Sequence, residues 1–228
     1  MPTAEVAPSA PFFRPFPFCR LLMPGGITEQ KTALRRVMRE RRAALEPNMR
    51  AAAAFVVRDR LIEMLPRLAL PAGAVVAGFL PIRDEIDPRP ALEALRERGF
   101  RLVLPVVIAR NEPLIFREWL PGTVLEPDAF HIPAPPVWAE QLAPDLLLVP
   151  MLAFDRKGER LGYGAGFYDV TLTLLRAQRA SIAVGIAFST QEVEAVPVSA
   201  RDVMLDALVT EIDVLWFGRF AGGGAAPS

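Results

Sequence analysis

The sequence predicts an α/β fold in which helices cover both faces of a mainly parallel sheet. Continuous apolar runs of strand length recur along the chain, and segments with helical periodicity alternate with them. Hydrophobic residues make up 52% of the 228 residues and charged residues 23%, which allows a sizeable core and makes global disorder unexpected. Strands that are apolar on both sides need helices on both sides, so the alternation is typical of a layered α/β domain.

The helices are predicted from their end signals. Thr28 is expected to cap a first helix that ends near Leu45, where Glu46-Pro47-Asn48 breaks the pattern. A second helix is then expected to end near Leu65. Two further helices are predicted over 88–99, which Gly99 ends, and 167–178.

The strands are predicted from apolar runs and from one alternating segment. Most of them are apolar throughout, as expected of strands buried in a parallel sheet, whereas 113–119 alternates between apolar and polar residues. Residues 120–144 are rich in loop-forming residues. The predicted strands are 74–80, 100–107, 113–119, 145–154, 181–188 and 205–212.

The two ends of the chain differ from its body. Residues 1–27 hold six prolines and four phenylalanines, and we predict a disordered leader, or sequence upstream of a start at Met23. A transit peptide is the alternative, but these prolines oppose a long helix. We expect one α/β domain over 28–215 and a disordered, glycine-rich tail over 216–228.

Composition excludes several classes of site and partner. Lys+Arg and Asp+Glu both number 26, so the balanced charge disfavours a globally basic nucleic-acid binder. The single cysteine, Cys19, excludes an internal disulfide and multi-cysteine metal sites, and the single histidine, His131, excludes paired-histidine metal motifs. With one thiol, no clear secretory signal and no apolar stretch long enough to span a membrane, we expect a cytoplasmic protein.

The segment 154–169 carries the strongest chemical signal. Gly162, Gly164 and Gly166 lie between a predicted buried strand and a predicted helix, after the cations Arg156, Lys157 and Arg160. Glycines permit close backbone approach, and a helix N-terminus offers free N–H groups, so the segment suits a phosphate. It matches neither the dinucleotide-binding fingerprint nor the Walker A loop. The alternative is a tight strand–helix turn without a ligand.

Charged residues elsewhere suggest further contacts. Lys31, Arg35 and Arg39 recur at helical spacing, and they could bind a polyanion or form a solvated basic face that is paired with acids elsewhere. The acidic residues after strand 74–80 could contact a polar ligand or serve as loop and cap residues. The carboxylates near the last strand could hold Mg²⁺ or begin the strand. These acidic residues are Asp84, Glu85, Asp87, Asp202 and Asp206.

Three single residues have weaker claims. His131 lies in a proline-rich loop, and the sequence lacks the G-x-S-x-G elbow of a common class of serine hydrolases, so a catalytic imidazole is not favoured. Trp119 and Trp138 could line a pocket for a flat ring, although packing in the core is the simpler expectation.

The segment PMLAFDRKGERLGYGAGFYD closely resembles the signature of the 5-formyltetrahydrofolate cyclo-ligase family. Other segments agree in the same order along roughly 29–213. Lys31-Thr-Ala-Leu-Arg35 resembles the family's N-terminal Lys-x-x-x-Arg, and RDEID resembles its acidic segment. FHIPAP resembles its Ile-Pro loop, and GIAFSTQ with RDVMLDALVTE resembles its closing strands. The resemblance implies a three-layer α/β/α fold akin to sugar-phosphate isomerases and CoA transferases.

The resemblance also implies a reaction. ATP would phosphorylate the formyl oxygen of 5-formyltetrahydrofolate, N10 would attack the activated carbon, and 5,10-methenyltetrahydrofolate, ADP and phosphate would leave. Mg²⁺ would assist, no nucleic acid or membrane would be involved, and the enzyme would act as a monomer. Activation by ATP needs positioning and positive charge rather than a protein nucleophile.

The resemblance also assigns the functional roles of the family's residues to the matching positions of this sequence. Catalysis is implied for Arg160 and Tyr168, folate binding for Glu85 and Tyr163, and Mg²⁺ binding for Asp169 and Asp202. ATP binding is implied for Lys31, Arg35, Arg160, Gly162, Tyr163, Gly164, Ala165, Gly166, Phe167, Tyr168 and Asp169.

Several positions depart from the family's usual residues. Ala165 stands where the family usually has Gly, Phe167 where it has Tyr, and Val170 where it has Arg. Arg201 stands where the family usually has His, and Ala134 stands where it usually has Glu. Ala165 would cost about 1 kcal/mol if its position needs a positive φ. Two alternatives therefore stay open: a non-catalytic folate- or nucleotide-binding paralogue with a regulatory role, and a nucleic-acid binder that uses helix 31–42.

Overall fold

The computed structural model describes residues 25–221, and these residues form four α-helices around one large sheet. Two shorter turns of 3₁₀ helix lie at Ser189–Gln191 and Gly218–Phe220. Within the described part of the chain, no helix combines the length and apolar character that crossing a membrane requires. The helices are α1 Ile27–Ala43, α2 Pro47–Leu68, α3 Arg89–Glu97 and α4 Phe167–Gln178.

Seven strands form the large sheet, and two small hairpins supply the others. The sheet strands are β1 Val75–Ala77, β2 Arg101–Val106, β3 Ile115–Glu118, β6 Leu146–Pro150, β9 Ile182–Ile186, β10 Ala207–Val209 and β11 Val214–Trp216. The hairpins are β4 Glu126–Pro127 with β5 Pro133–Ala134, and β7 Ala153–Phe154 with β8 Arg160–Leu161.

The sheet is mainly parallel, as the sequence predicts. Its strand order is β11-β10-β9-β6-β1-β2-β3. The five central strands run parallel, and an antiparallel strand closes each edge. The carboxyl ends of the central strands therefore meet at one edge, which is where open α/β sheets bind ligands.

Alternate residues of the strands bury their side chains on opposite faces, and each face has its own core. Leu146 and Leu148 pack with helices α2 and α3 on one face. Leu147 and Val149 pack with α4 on the other. This arrangement confirms the predicted layers, and it explains why β6 is apolar at consecutive positions.

Helix α1 lies outside these layers and packs against the β7–β8 hairpin. Its buried Leu34 and Met38 form a third apolar cluster with Leu152, Ala153 and Leu161. The predicted cap Thr28 is wrong: the cap position is Gly26, whose N–H donates to Glu29 Oε2 at 3.1 Å. The acid in the first turn thus bonds the backbone that Thr28 was expected to satisfy.

Other boundaries differ where a short-range pattern misses a turn. The predicted strand 145–154 is two strands, because the chain turns after Pro150 and pairs Ala153 with Leu161. Strands 74–80 and 205–212 are shorter than predicted, and α2 extends to Leu68 through Pro66. Strand β11 runs through Trp216, beyond the expected boundary at 215. Of the expected leader 1–27, residues 25–27 are described, and Ile27 already belongs to α1. Of the expected tail 216–228, residues 216–221 are described and include the 3₁₀ turn Gly218–Phe220. The remaining residues, 1–24 and 222–228, lie outside the described residues.

Replacing Leu148 with alanine tests the burial of the central strand. Leu148 is fully buried in β6, so Leu148→Ala is expected to lower the free energy of unfolding by about 2–5 kcal/mol. Leu120→Ala is the matched control, because Leu120 is 60% exposed and its loss is expected to stay within about 0.5 kcal/mol. Urea denaturation measures both variants, and equal losses would contradict the assigned core.

Candidate active site

A large cavity opens at the carboxyl edge of the sheet. Its volume is about 1170 Å³, and its walls come from segments far apart in the sequence. Helix α1, the residues after β1 and β2, the glycine loop 162–166, the start of α4 and the segment 199–203 all line it. Most of the residues that the sequence and the resemblance single out are therefore brought to one place.

The glycine loop has positive φ at two of its glycines. Gly164 has φ +111° and Gly166, which caps α4, has φ +73°. Both conformations favour glycine because they crowd a Cβ atom. Ala165 lies between them without a positive φ, so the expected strain at this residue is absent. The loop also does not follow a sheet strand directly, since the β7–β8 hairpin intervenes between it and β6.

The basic face of α1 lies against this loop. Lys31 Nζ contacts both carboxylate oxygens of Asp202 at 2.8 and 2.5 Å, and Arg35 Nε donates to the Gly162 carbonyl at 2.9 Å. The guanidinium of Arg35 lies so close to Gly164 that a Cβ there would meet its Cζ at 3.3 Å. Lys31 is thus paired with an acid from a distant segment, as the alternative of a paired basic face expects, and both Lys31 and Arg35 also line the cavity.

Arg160 and Asp169 form an ion pair in the wall of the cavity. Arg160 Nη2 lies 2.7 Å from Asp169 Oδ1, and Nη1 donates to the Val203 carbonyl. The Val203 N–H donates to the same Asp169 oxygen at 3.1 Å. Burial lowers the pKa of Arg160, although the charges of Asp169 and Asp202 oppose the shift. This arrangement joins β8 and α4 to the segment 199–203.

The two carboxylates implied as magnesium ligands each have a cationic partner. Asp202 pairs with Lys31 and Asp169 with Arg160. Within residues 25–221, no three His, Cys, Asp or Glu side chains come together as ligands for a metal ion. The chain therefore does not offer a complete metal cage of its own. One or two carboxylates do suit Mg²⁺ when substrate phosphates supply further ligands.

Glu85 is a buried carboxyl in the wall of the cavity, and it faces two tyrosines. Burial raises the pKa of Glu85, while the Tyr163 hydroxyl, the Ile82 N–H and Arg42 oppose the shift. Its Oε2 accepts from Ile82 N at 2.8 Å, and its Oε1 finds no hydrogen-bond donor of good geometry among the described residues. Burial, together with the nearby charge of Glu85, also raises the pKa of Tyr163 and Tyr168. A carboxyl oxygen left over in this way can accept from a ligand.

Sequence reasoning did not single out Arg42, a cation near the end of α1. The side chain is 2% exposed and donates to Asp84 Oδ2 at 2.9 Å and to the Tyr163 hydroxyl at 2.7 Å. Only its place in the apolar stripe with Leu34 and Met38 could have marked it as buried. The acidic segment thus divides: Asp84 pairs with Arg42, Glu85 lines the cavity, and Asp87 bonds Arg89 at the start of α3.

The remaining candidates lie outside the cavity or have structural partners. Asp206 pairs with Arg176 and accepts from the Ala183 N–H. His131 is exposed in a turn with φ +59° and does not line the cavity. Trp119 packs in the core as expected, whereas Trp138 is 77% exposed, so neither lines the cavity.

The departures from the family pattern lie in or beside the cavity. Phe167 begins α4, and its ring meets Phe130 edge-on at 5.8 Å between centroids. Val170 is 38% exposed on the cavity side of α4, and Arg201 lies on the segment that faces it. Ala134 is buried in β5. These departures therefore leave in place the cations and carboxylates of the cavity described above.

Comparisons with known proteins agree on one family. The family model described as "5-formyltetrahydrofolate cyclo-ligase family" matches residues 27–211. The 5-formyltetrahydrofolate cyclo-ligase of Escherichia coli K12 is 34% identical over 181 residues, covering 76% of this chain and 96% of that protein. The enzyme of the same name from Mycolicibacterium smegmatis is 36% identical over 148 residues, covering 61% and 74%.

A solved structure shows the same fold. The NMR structure of Aquifex aeolicus 5,10-methenyltetrahydrofolate synthetase superposes with a TM-score of 0.68 at 28% identity. The match covers 87% of this chain and 96% of that one.

The Lys31–Asp202 pair predicts a pH dependence of stability. Burial raises the pKa of Asp202, but its bonds with Lys31 and the Ser199 N–H outweigh this and hold the pKa below its ordinary value. The ionised form thus stabilises the fold above the unfolded-state pKa of about 3.9, and this contribution is lost as the pH falls through the lower folded-state pKa. Asp202→Asn is expected to lower the urea midpoint at pH 7 and to reduce its decline towards pH 3.5.

Asp59→Asn is the control for this measurement. Asp59 pairs with its neighbour Arg58 on the surface of α2, where its side chain is 59% exposed. Exposed pairs contribute little to stability, so its urea midpoint should stay close to that of the unchanged protein. The same decline with pH in Asp202→Asn as in the unchanged protein would contradict the role of the pair.

Proposed function

The chain belongs to the 5-formyltetrahydrofolate cyclo-ligase family, and we propose that it cyclises 5-formyltetrahydrofolate to 5,10-methenyltetrahydrofolate at the expense of ATP. The observation that carries the proposal is the joint cavity. One opening is lined by the cations of α1, by the glycine loop at the start of α4 and by the buried carboxyl of Glu85. The cations and the glycine loop suit a nucleotide, the carboxyl suits a pterin, and the reaction needs both ligands next to each other.

The nucleotide end is proposed to lie between α1 and the glycine loop. Lys31 and Arg35 supply positive charge, and the N-terminus of α4 offers free N–H groups next to Gly166. Phosphoryl transfer needs positioning and charge stabilisation more than covalent catalysis by the protein. Lys31, which pairs with Asp202, would also contact a phosphate. Arg160 would hold Asp169 in place at the nucleotide end of the cavity.

Magnesium is proposed to bind with the nucleotide rather than before it. Asp169 and Asp202 lie next to the cations that would contact phosphates, so each could give one oxygen to an ion that the phosphates also hold. Bound there, Mg²⁺ would neutralise charge on the phosphate oxygens. The carboxylates themselves keep Lys31 and Arg160 in place.

The folate end is proposed to lie at Glu85 and the two tyrosines. The reduced pterin presents amino and ring N–H groups that can donate to Glu85 Oε1, which accepts no hydrogen bond of good geometry from the described residues. Tyr163 and Tyr168 flank this carboxyl, so they could orient the ring and the formyl group. These contacts would bring the formyl oxygen to the γ-phosphate, which is the requirement for transfer.

The proposed steps balance without a protein nucleophile. The γ-phosphoryl group moves from ATP to the formyl oxygen, and ADP leaves. N10 then forms a bond to the formyl carbon, its proton is lost, and the C–O bond breaks as phosphate departs. The non-catalytic alternative was based on Ala165 and Val170, and Ala165 no longer supports it, because this residue occupies the loop without the strain of a positive φ.

Turnover tests the proposal directly. Purified protein mixed with 5-formyltetrahydrofolate, ATP and Mg²⁺ is expected to produce the near-ultraviolet absorbance band of methenyltetrahydrofolate. Omitting ATP, or removing Mg²⁺ with EDTA, should abolish the increase in this absorbance, and adding Mg²⁺ back should restore the increase. Binding of 5-formyltetrahydrofolate without any turnover would instead favour the binding paralogue.

Removing the cations should weaken use of ATP. Lys31→Ala and Arg160→Ala are each expected to raise the apparent KM for ATP about tenfold or more, because a hydrogen bond to a charged group is worth about 1.5–3 kcal/mol. Arg36→Ala is the control, since Arg36 is exposed on α1 and does not line the cavity. Initial rates at varied ATP measure the effect. Unchanged ATP kinetics in both site variants would contradict the nucleotide assignment.

A further inference from the structure

We propose that Arg42 is a positioning residue, which holds Tyr163 and the Asp84–Glu85 segment in the geometry that binds the pterin. The inference rests on the proposed function, because it assigns the folate end of the same cavity. It adds a residue that does not line the cavity and that neither the sequence nor the family resemblance singled out as part of the site.

The guanidinium of Arg42 joins four parts of the fold. From α1 it donates to both carboxylate oxygens of Asp84, at 2.9 and 3.3 Å. It also donates to the Tyr163 hydroxyl at 2.7 Å and to the Met151 carbonyl at 3.5 Å. A lysine cannot reproduce this planar fork, so the geometry calls for arginine in particular. Arg42 thus fixes the acidic segment after β1 against the glycine loop.

Arg42 also supplies the positive charge closest to Glu85. Its Nη1 lies 3.9 Å from Glu85 Oε1. The other groups that face this carboxyl are Asp84 beside it, Tyr163 from the glycine loop and Tyr168 from α4. Among these only Arg42 carries a positive charge, and burial and Asp84 both raise the pKa of Glu85.

The two effects act on the same ligand. A misplaced Tyr163 would alter one wall of the pterin site, and a protonated Glu85 would lose an acceptor for the pterin N–H groups. A role confined to stability would leave both properties unchanged. Binding of folate should therefore depend on Arg42 more strongly than binding of ATP.

Steady-state kinetics of Arg42→Lys and Tyr163→Phe form the first part of the test. Arg42→Lys keeps the charge and loses the fork, and the KM for 5-formyltetrahydrofolate is expected to rise about tenfold or more, with a smaller change for ATP. Tyr163→Phe breaks the same contact from the loop side and should shift the folate KM in the same direction. Arg36→Lys, on the exposed side of α1, is the control. A lower melting temperature with both KM values unchanged would overturn the proposal.

Carbon-13 NMR of the glutamate side-chain carboxyls forms the second part, and it requires no turnover. The Glu85 resonance is identified by its disappearance in Glu85→Gln. It is expected to titrate at higher pH in Arg42→Met than in the unchanged protein, whereas Arg42→Lys should stay near the unchanged value. If Arg42→Met does not fold, Arg42→Gln gives the same comparison, because it removes the charge and keeps a polar side chain that can bond to its neighbours. Identical titrations in the charged and neutral variants would overturn the electrostatic role.

The two parts separate this inference from the proposed function. If the unchanged protein does not convert 5-formyltetrahydrofolate, the proposed function fails, and the titration still reports whether Arg42 sets the charge of Glu85. If it does convert the substrate, an unaltered folate KM in Arg42→Lys rejects the positioning role alone, whereas an unaltered folate KM in Tyr163→Phe also contradicts the proposed contact of Tyr163 with the folate.

Discussion

The contact between helix α1 and the glycine loop is the interaction on which the site depends. Neither the loop nor the helix belongs to the central sheet, and the β7–β8 hairpin connects the loop to it. Leu34 and Met38 fasten α1 to that hairpin by apolar packing. Because the helix is fixed there, Arg35 reaches the Gly162 carbonyl and Lys31 reaches the segment 199–203. Displacing α1 would therefore open the cavity from two sides.

The density of positive charge on α1 is balanced across the fold rather than along the helix. Like charges at i and i+4 repel, as Lys31 and Arg35 do on this helix. Asp202 and Asp84 offset Lys31 and Arg42 from segments far away in sequence. Of these two carboxylates, Asp202 also lines the cavity, whereas Asp84 does not. At Lys31 and Asp202, a structural ion pair and the proposed binding groups are therefore the same residues.

Residue patterns anticipated most of the cavity and less of its internal geometry. The glycines, Lys31, Arg35 and Glu85 all lie where the sequence and the family resemblance led us to expect a shared site. The strand 145–154 was wrong as one element, because an apolar run cannot distinguish a single strand from two that are separated by a turn. The concern over Ala165 was also misplaced, since φ depends on how the whole loop closes and not on the residue beside it.

The sequence by itself determined the layered α/β fold, the order of its main elements and the chemistry of the glycine loop. These features follow from periodicity and from residue types at short spacing, which local physics decides. Only the tertiary structure decided which charges meet. Arg42 and Tyr163 are 121 positions apart, and Lys31 and Asp202 are 171 apart. No local pattern encodes such pairs, because they arise when separate elements pack around a common core.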